Sequence, residues 1–414
     1  MPLNVAFIHP NLGIGGAERL VVDTALGLHD RGHRVHIYTA HHDASHCFDE
    51  VHPETGVIPV SEMFHWFPDS IFGRFRALCV YIRMILVALN LVFFKRSEYD
   101  IFFVDQVSAC IPFLKLAWRS KVVFYGHFPD MLLTDRRTLP KKLYRGVLDK
   151  IEEVTTGMAD RILVNSKFTE AQFSTQFPRV GAKGRLVIAY PPVHIGSMVG
   201  QELFDTAEPE NAEPSSDYQW LSINRYEGKK RVDIAIRALA EVKVNDPRTY
   251  SRTKLTIAGG YDDLVRENRD VYSELCRLAK ELGVAEHVQF LRNIGNDEKM
   301  KLLREATVLM YTPSGEHFGI VPVEAMASRL PVIAVNNGGP TESICVERGS
   351  ETGFLVDQTP EAFAEAALSL ARTEGLRDRM GSAGASRVAT MFSMSVYIDV
   401  VETEMRTLTG RCSH

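Results

Sequence analysis

The feature that most constrains this chain is a repeated alternation. Short apolar runs, several rich in Val and Ile, occur at residues 4–9, 35–39, 101–104, 122–125, 161–164 and 186–189, with helix-like segments such as 17–31 and 143–158 between them. Such runs, apolar throughout rather than at alternate positions, read as strands buried on both faces of a parallel sheet. Pro191-Pro192 interrupts the series, and Glu, Pro, Ser and Asp are frequent over 208–217. The series then restarts at 220–223, 254–258, 288–290, 308–312 and 332–335, and helix-like stretches follow near 360–373, 376–390 and 393–408. At 414 residues, more than one core is expected. The pattern predicts an α/β chain of two doubly wound domains facing a central cleft. The expected domains are 1–192 and 218–392, joined by a linker at 193–217 and followed by a tail helix at 393–414.

Composition narrows the function. Apolar content of 45% and charged content of 24% are ordinary for a globular protein. A net charge of −5 gives no global reason to expect nucleic acid, which normally needs a basic face. Cys47, Cys79, Cys110, Cys276, Cys345 and Cys412 are scattered without a C-x-x-C pair, which favours a reducing compartment over a disulfide framework or a zinc site. No Asn-x-Ser/Thr sequon occurs, and the apolar run at 5–9 is too short for a signal peptide.

The chemistry concentrates where strands give way to helices. In Glu316-His-Phe-Gly-Ile-Val-Pro-Val-Glu324, two carboxylates eight residues apart flank a glycine at a loop-to-helix junction. Ligands of open α/β sheets bind at the carboxyl ends of strands. Helix-start amides suit phosphate, and ionised carboxylates suit hydroxyls because they only accept hydrogen bonds. Hydroxyls beside phosphates suggest a nucleotide sugar. The turn Asn224-Arg225-Tyr-Glu-Gly-Lys229-Lys230-Arg231 follows a strand at the same sheet end, so Arg225 and Lys230 are candidate phosphate cations. The chain contains no Asp-x-Asp pair, so no metal site is expected, and charge on a leaving diphosphate falls to protein cations and amides.

The first turn of the first half, His9-Pro-Asn-Leu-Gly13-Ile-Gly15-Gly16-Ala-Glu18, departs from a dinucleotide fingerprint. Glu18 stands where the third glycine belongs, and no carboxylate ends the second strand. Gly15 and Gly16 then serve either close helix–strand packing or a ligand phosphate. His127 follows another strand and is a candidate contact for a sugar or acceptor hydroxyl. Arg136, Arg137, Lys141, Lys142 and Arg145 form a basic cluster that suits a solvated helix face or anionic lipid headgroups. Residues 78–94 are almost wholly apolar, with Arg76, Arg83 and Asn90 on one helical face. A buried domain helix, a helix lying in the membrane interface and a span all remain open.

The Glu-x7-Glu pair, the Arg225/Lys230 turn and the Gly15-Gly16 loop together resemble the retaining GT-B glycosyltransferases, which include glycosyl transferases group 1 and family 4. The likeness covers nearly the whole chain. The runs HPNLGIGGAERLVVD, DQVSACIP, HFPDMLLT, EEVTTGMAD, SINRYEGKK, AGGYDD and YTPSGEHFGIVPVEAM are similar to those of mannosyltransferases that extend the dolichol-linked core of asparagine-linked glycans. The resemblance implies two Rossmann-like domains, with the tail helix packing back on the first. It implies GDP-mannose as co-substrate, with no tightly bound cofactor. The implied reaction adds α-1,3- and then α-1,6-linked mannose to Man1GlcNAc2-diphosphodolichol, with retention, on the cytosolic face of the endoplasmic reticulum. Implied partners are the lipid-linked oligosaccharide on dolichol diphosphate, the membrane surface and other mannosyltransferases of the pathway.

The resemblance also implies roles. Glu316 contacts hydroxyls of the transferred sugar and Glu324 the ribose. Arg225 and Lys230 hold the diphosphate, while Gly16, beside Gly15, and His127 border the phosphates and the sugar. Residues Phe318, Gly319, Ile320 and Val321 offer backbone amides, and Arg292, Asn293 and Ile294 lie near guanine. The implied catalytic set is Glu316, Lys230, Arg225 and His127. A different nucleotide sugar with a soluble acceptor, or a catalytically silent scaffold, are the rival readings.

Overall fold

The computed structural model describes residues 1–68, 70–71, 75–95, 98–133, 139–181, 184–193 and 218–411. The linker expected at 193–217 lies outside them, apart from Val193. The chain divides into two compact units, Met1–Pro192 with Met394–His414, and Val193–Ser393.

Among the described residues, the first unit holds a seven-stranded parallel sheet. Its strands are β1 (Asn4–His9), β2 (Arg34–Thr39), β3 (Val60–Glu62), β4 (Ile101–Asp105), β5 (Lys121–Gly126), β6 (Arg161–Val164) and β7 (Leu186–Ile188), in the order β3-β2-β1-β4-β5-β6-β7. Successive side chains of a strand point to opposite faces, and both faces here are apolar. Ala6, Ile8, Phe102 and Val104 enter one core, and Val5, Phe7, Ile101 and Phe103 the other. That is why these strands read as continuous apolar runs.

The helix Arg76–Lys95 packs one face on the first sheet. An 18-residue stretch within it has a mean hydropathy of 2.3, and its 20 residues would suit a span by length and composition alone. Yet Met84, Val87, Ala88, Leu91 and Val92 sit in the core of the first sheet. Arg83 is buried too, and its guanidinium Nε donates to the Phe67 carbonyl at 2.8 Å. One face of the helix is thus a layer of this domain, with Arg83 bonded to backbone, while Leu78, Phe93 and Phe94 are exposed.

The second unit, again among the described residues, repeats the plan with six parallel strands. These are β8 (Tyr218–Ile223), β9 (Thr253–Gly259), β10 (Val288–Arg292), β11 (Val308–Tyr311), β12 (Val332–Val335) and β13 (Gly353–Val356), ordered β10-β9-β8-β11-β12-β13. Strand order reverses between β1 and β4 in one unit and between β8 and β11 in the other. Those crevices are where doubly wound sheets bind ligands. Strands β3 and β13 escape the sequence pattern because β3 (Val60–Glu62) holds a single apolar residue and β13 (Gly353–Val356) is a four-residue run that opens on glycine.

The tail helix Met394–Thr409 belongs to the first unit and packs on the helix Gly16–Asp30. The Tyr397 and Thr24 hydroxyls are 2.7 Å apart, and Glu402 accepts from Arg31 at 2.8 Å. A Cβ at Gly27 would collide with the Ile398 side chain, so the missing side chain is what admits it. Ile398→Ala should therefore destabilise the first domain by about 2–4 kcal/mol, read as a lower urea midpoint with an unchanged slope.

Candidate active site

In the second unit, the turn after β8 and the loop after β11 meet at the order reversal. The Lys230 ammonium lies 2.7 Å from Glu316 Oε1, with side chains 15% and 24% exposed. Tyr311, the last residue of β11, donates its hydroxyl to Glu316 Oε2 at 3.1 Å. Burial, then the neighbouring Glu316, holds this phenol far above its ordinary pKa, so it remains a donor. Thr312 Oγ1 donates to the Lys230 carbonyl at 2.8 Å and fixes the single 3-10 turn Gly228–Lys230.

Backbone geometry completes this corner. Gly319 precedes the helix Ile320–Ala327 at φ +82°, a conformation that favours glycine. The first-turn amides of that helix have no intrahelical acceptor. The Asn336–Gly339 loop braces Glu316 from behind: Gly339 N donates to the Glu316 carbonyl at 2.7 Å, and a Cβ at Gly339 would strike the Phe318 backbone. One helical turn further on, Glu324 pairs with Lys299 of the helix Asn296–Glu305 at 2.6 Å. A cation, two carboxylates and a helix start are thus held together. This set can meet an anion and hydroxyl groups at once.

The first unit places a different charged cluster at its own reversal. Asp105 ends β4 and is 1% exposed. Its Oδ2 lies 2.9 Å from His9 Nδ1, and its Oδ1 lies 2.8 Å from His127 Nε2. Glu18 Oε1 is 3.8 Å from His9 Nε2, a buried nitrogen with no hydrogen-bond partner among the described residues. Burial alone would lower the His9 pKa, but Asp105 and Glu18 more than offset it and raise it to about 9. Burial likewise opposes the Asp105 charge, yet His127 and His9 bring its pKa down to about 2. His9 is therefore an imidazolium at neutral pH, facing an ionised Asp105.

Family models match both halves: Glycosyltransferase Family 4 over residues 14–195 and Glycosyl transferases group 1 over 204–387. The chain is 45% identical over 404 residues to the alpha-1,3/1,6-mannosyltransferase ALG2 of Mus musculus, covering 96% of this chain and 94% of that protein. It is 42% identical over 424 residues to ALG2 of Rhizomucor pusillus, covering 97% and 91%.

The chain belongs to the ALG2 family.

Solved structures share the fold. Sucrose-phosphate synthase from Thermosynechococcus elongatus superposes with a TM-score of 0.73 at 18% identity, covering 99% of this chain and all of that one. A glycosyltransferase from Rickettsia africae superposes with a TM-score of 0.70 at 18% identity, again over 99% and 100%. The two Rossmann-like domains are those of the GT-B glycosyltransferases.

Within this ALG2-family chain, the structure joins Lys230 to Glu316 and sets Glu324 nearby on the following helix. Arg225 extends into solvent, 72% exposed, with Glu227 at 3.8 Å. Phe318 buries its ring 5.8 Å from that of Phe392, so its backbone alone is available to a ligand. Arg292 lies over the rings of Tyr261 and Tyr272, at 4.8 and 5.3 Å. The Asn293 amide is engaged on both sides by the Tyr261 backbone, at 2.7 and 2.8 Å, which leaves Ile294 as the residue of that trio without such a tie. Gly15 caps the helix Gly16–Asp30 with the Glu18 carboxylate lying over it, while the space beside Gly16 is open. Of the basic cluster, Arg136, Arg137 and the side chain of Lys141 lie outside the described residues, and Lys142 is exposed.

Sequence reasoning missed Tyr311, Lys299, Asp105 and the part played by His9. His9 and Asp105 both end strands at the reversal, and that shared position was the available signal.

The His9–Asp105 pair fixes a pH dependence. A raised His9 pKa stabilises the fold fully below its unfolded value near 6.5, and that contribution fades as pH rises through 9. A lowered Asp105 pKa stabilises above about 3.8, and the contribution is lost as pH falls towards 2. Urea unfolding of the first domain should give greatest stability between about pH 4 and 6.5 and a loss of up to roughly 3 kcal/mol by pH 10. His9→Asn should flatten the alkaline slope.

Proposed function

We propose that this chain transfers mannose from GDP-mannose to Man1GlcNAc2-diphosphodolichol, first in α-1,3 and then in α-1,6 linkage, during N-glycan precursor assembly. Membership of the ALG2 family supplies the activity class. The observation that carries the reading to residues is the Lys230–Glu316 pair, 2.7 Å apart at the β8/β11 reversal beside the Gly319 helix start.

In this reading the donor diphosphate takes Lys230, Arg225 and the amides near Gly319–Val321. Glu316 grips mannose hydroxyls, Glu324 the ribose, and residues 292–294 border guanine. As the bond from mannose C1 to the diphosphate oxygen breaks, negative charge grows on GDP, and the cations stabilise it. The acceptor oxygen bonds to C1 on the same face, and its proton passes to the departing phosphate oxygen. Configuration is retained, and neither Glu316 nor Glu324 acts as a nucleophile.

The acceptor carries a lipid, so we place the reaction at the cytosolic face of the endoplasmic reticulum membrane. Support comes from the helix Leu139–Thr156, where Leu143, Val147, Ile151 and Val154 form an exposed apolar row at helical spacing. Exposed Lys142 and Lys150 lie on the same helix. An apolar row with basic residues suits an interface rich in anionic lipid.

Purified protein incubated with GDP-mannose and lipid-linked monomannosyl chitobiose should yield α-1,3- and α-1,6-linked products. β-Linked mannose, or equal turnover with UDP-glucose, contradicts the proposal. Lys230→Ala should lower kcat/KM by about 10²- to 10³-fold and Glu316→Ala should abolish transfer. Lys229→Ala should change it less than about twofold, because that side chain is 73% exposed and, among the described residues, pairs with Glu227 alone. Separately, Leu143→Glu with Val147→Glu should weaken partitioning onto phosphatidylserine vesicles by about tenfold or more without lowering the melting temperature. Unchanged partitioning removes this helix from the membrane face.

A further inference from the structure

Strand β11 is apolar until its last residue. Val308, Leu309 and Met310 are buried side chains of the core, and Tyr311 ends the strand with a phenol that is only 3% exposed. The ring lies beneath the start of the helix Ile320–Ala327: a Cβ at Gly319 would stand 3.2 Å from the Tyr311 hydroxyl and 3.4 Å from its Cε1. The hydroxyl reaches on to Glu316 Oε2 at 3.1 Å, while the Lys230 ammonium holds Oε1 at 2.7 Å. Among the described residues, each oxygen of this carboxylate thus takes one side-chain donor. The next residue, Thr312, donates to the Lys230 carbonyl at 2.8 Å. Two adjacent residues at one strand end therefore hold both members of the Lys230–Glu316 pair.

We propose that Tyr311 is a positioning residue for Glu316: its hydroxyl keeps the carboxylate aimed at the transferred sugar when the donor diphosphate draws Lys230 away. This role rests on the transferase reading above, in which Glu316 meets sugar hydroxyls and Lys230 meets phosphate.

The two partners of Glu316 differ in what they can do. Lys230 ends a single 3-10 turn, and its ammonium swings on a flexible four-carbon stem. Tyr311 has no such freedom. Its ring is packed beneath Gly319, and its strand pairs with β8 on one side and β12 on the other. Gly339 N holds the Glu316 carbonyl at 2.7 Å, so the side-chain torsions of Glu316 are what remain to be fixed. Once Lys230 turns to phosphate, the bond from a rigid phenol is the one that still restrains them. Burial, and then the Glu316 charge, keep that phenol protonated and therefore a donor. An ionised carboxylate has about four lone-pair sites, so the Tyr311 bond leaves roughly three for hydroxyls. Precise aim matters here, because misplacing a substrate-binding group by about 1 Å can cost about 10²-fold in rate.

The test uses the full chain and compares GDP-mannose with GDP, which lacks the sugar. Tyr311→Phe keeps the ring beneath the helix start and removes one oxygen. It should lower kcat/KM for GDP-mannose by about 10- to 100-fold while changing inhibition by GDP less than about twofold. A tyrosine that merely supports the fold would weaken both nucleotides together, and that result overturns the proposal. So does a variant whose kcat/KM equals that of wild type. In a Glu316→Gln background, calorimetry should show Tyr311→Phe costing less than about twofold further in GDP-mannose affinity, because the tyrosine acts through Glu316. A larger further loss overturns the proposal. If Tyr311→Phe alone does not fold, this second comparison decides, since an amide at 316 leaves no carboxylate without its donor. Wild type that transfers no mannose from GDP-mannose removes the transferase reading and this role with it. An active wild type with an unaffected Tyr311→Phe removes this role alone.

Discussion

Each half of this molecule depends on an ionised carboxylate held where its sheet reverses strand order. Such a crevice is partly dry, and a lone carboxylate there would be costly. The second unit meets the cost at Glu316 with the Lys230 ammonium and the Tyr311 hydroxyl, at 2.7 and 3.1 Å. The first meets it at Asp105 with two imidazoles, at 2.9 and 2.8 Å. The surrounding loops follow from these contacts. Thr312 pins the Lys230 carbonyl, Gly339 the Glu316 carbonyl, and Asn165 the His127 carbonyl. A rigid parallel sheet fixes where the strands end, and hydrogen bonds fix what the loops do next.

Much of the fold was legible because parallel strands buried on both faces leave a dense signal. Residues 4–9 could be read from their own composition, since Val5, Phe7 and Ile8 face two different cores. The restart after Pro191-Pro192 was visible for the same reason. Strands β3 and β13 were not, since one holds a single apolar residue and the other is a four-residue run that opens on glycine. The Arg76–Lys95 helix was ambiguous because core burial and bilayer burial select the same side chains. The Phe67 carbonyl that satisfies Arg83 is 16 residues away and leaves no trace in the helix pattern.

The candidate site divides in the same way. Lys230 and Glu316 were legible because each sits in a strand–glycine–helix junction whose chemistry is local. Tyr311 ended a recognised strand, but whether its hydroxyl turned inward depended on the loop five residues on. Lys299 and Glu324 are 25 residues apart on separate helices, and His9 and Asp105 are 96 apart. Pairings at that separation are set by sheet order, which single-chain pattern does not reveal. Once the order is known, the pairing is nearly forced. The first and fourth strands of a doubly wound sheet are neighbours, and His9 and Asp105 are their last residues.

The two carboxylates are partnered differently, and the difference bears on what each can do. Lysine is a flexible chain with a compact, hydrated charge. In the proposed reading, an incoming diphosphate competes with Glu316 for Lys230 and frees the carboxylate for sugar hydroxyls in the same motion. Asp105 is bound by planar rings anchored at strand ends, with almost no access to water. Exchange there would strand a charge in the interior, at a cost of several kcal/mol. A lysine partner leaves a carboxylate open to exchange, whereas His9 and His127, at 2.9 and 2.8 Å, hold the buried Asp105 in place. On this argument the second unit carries the exchangeable charge and the first carries the fixed one. That division suits the proposed transfer, in which a leaving anion must be released after every turnover.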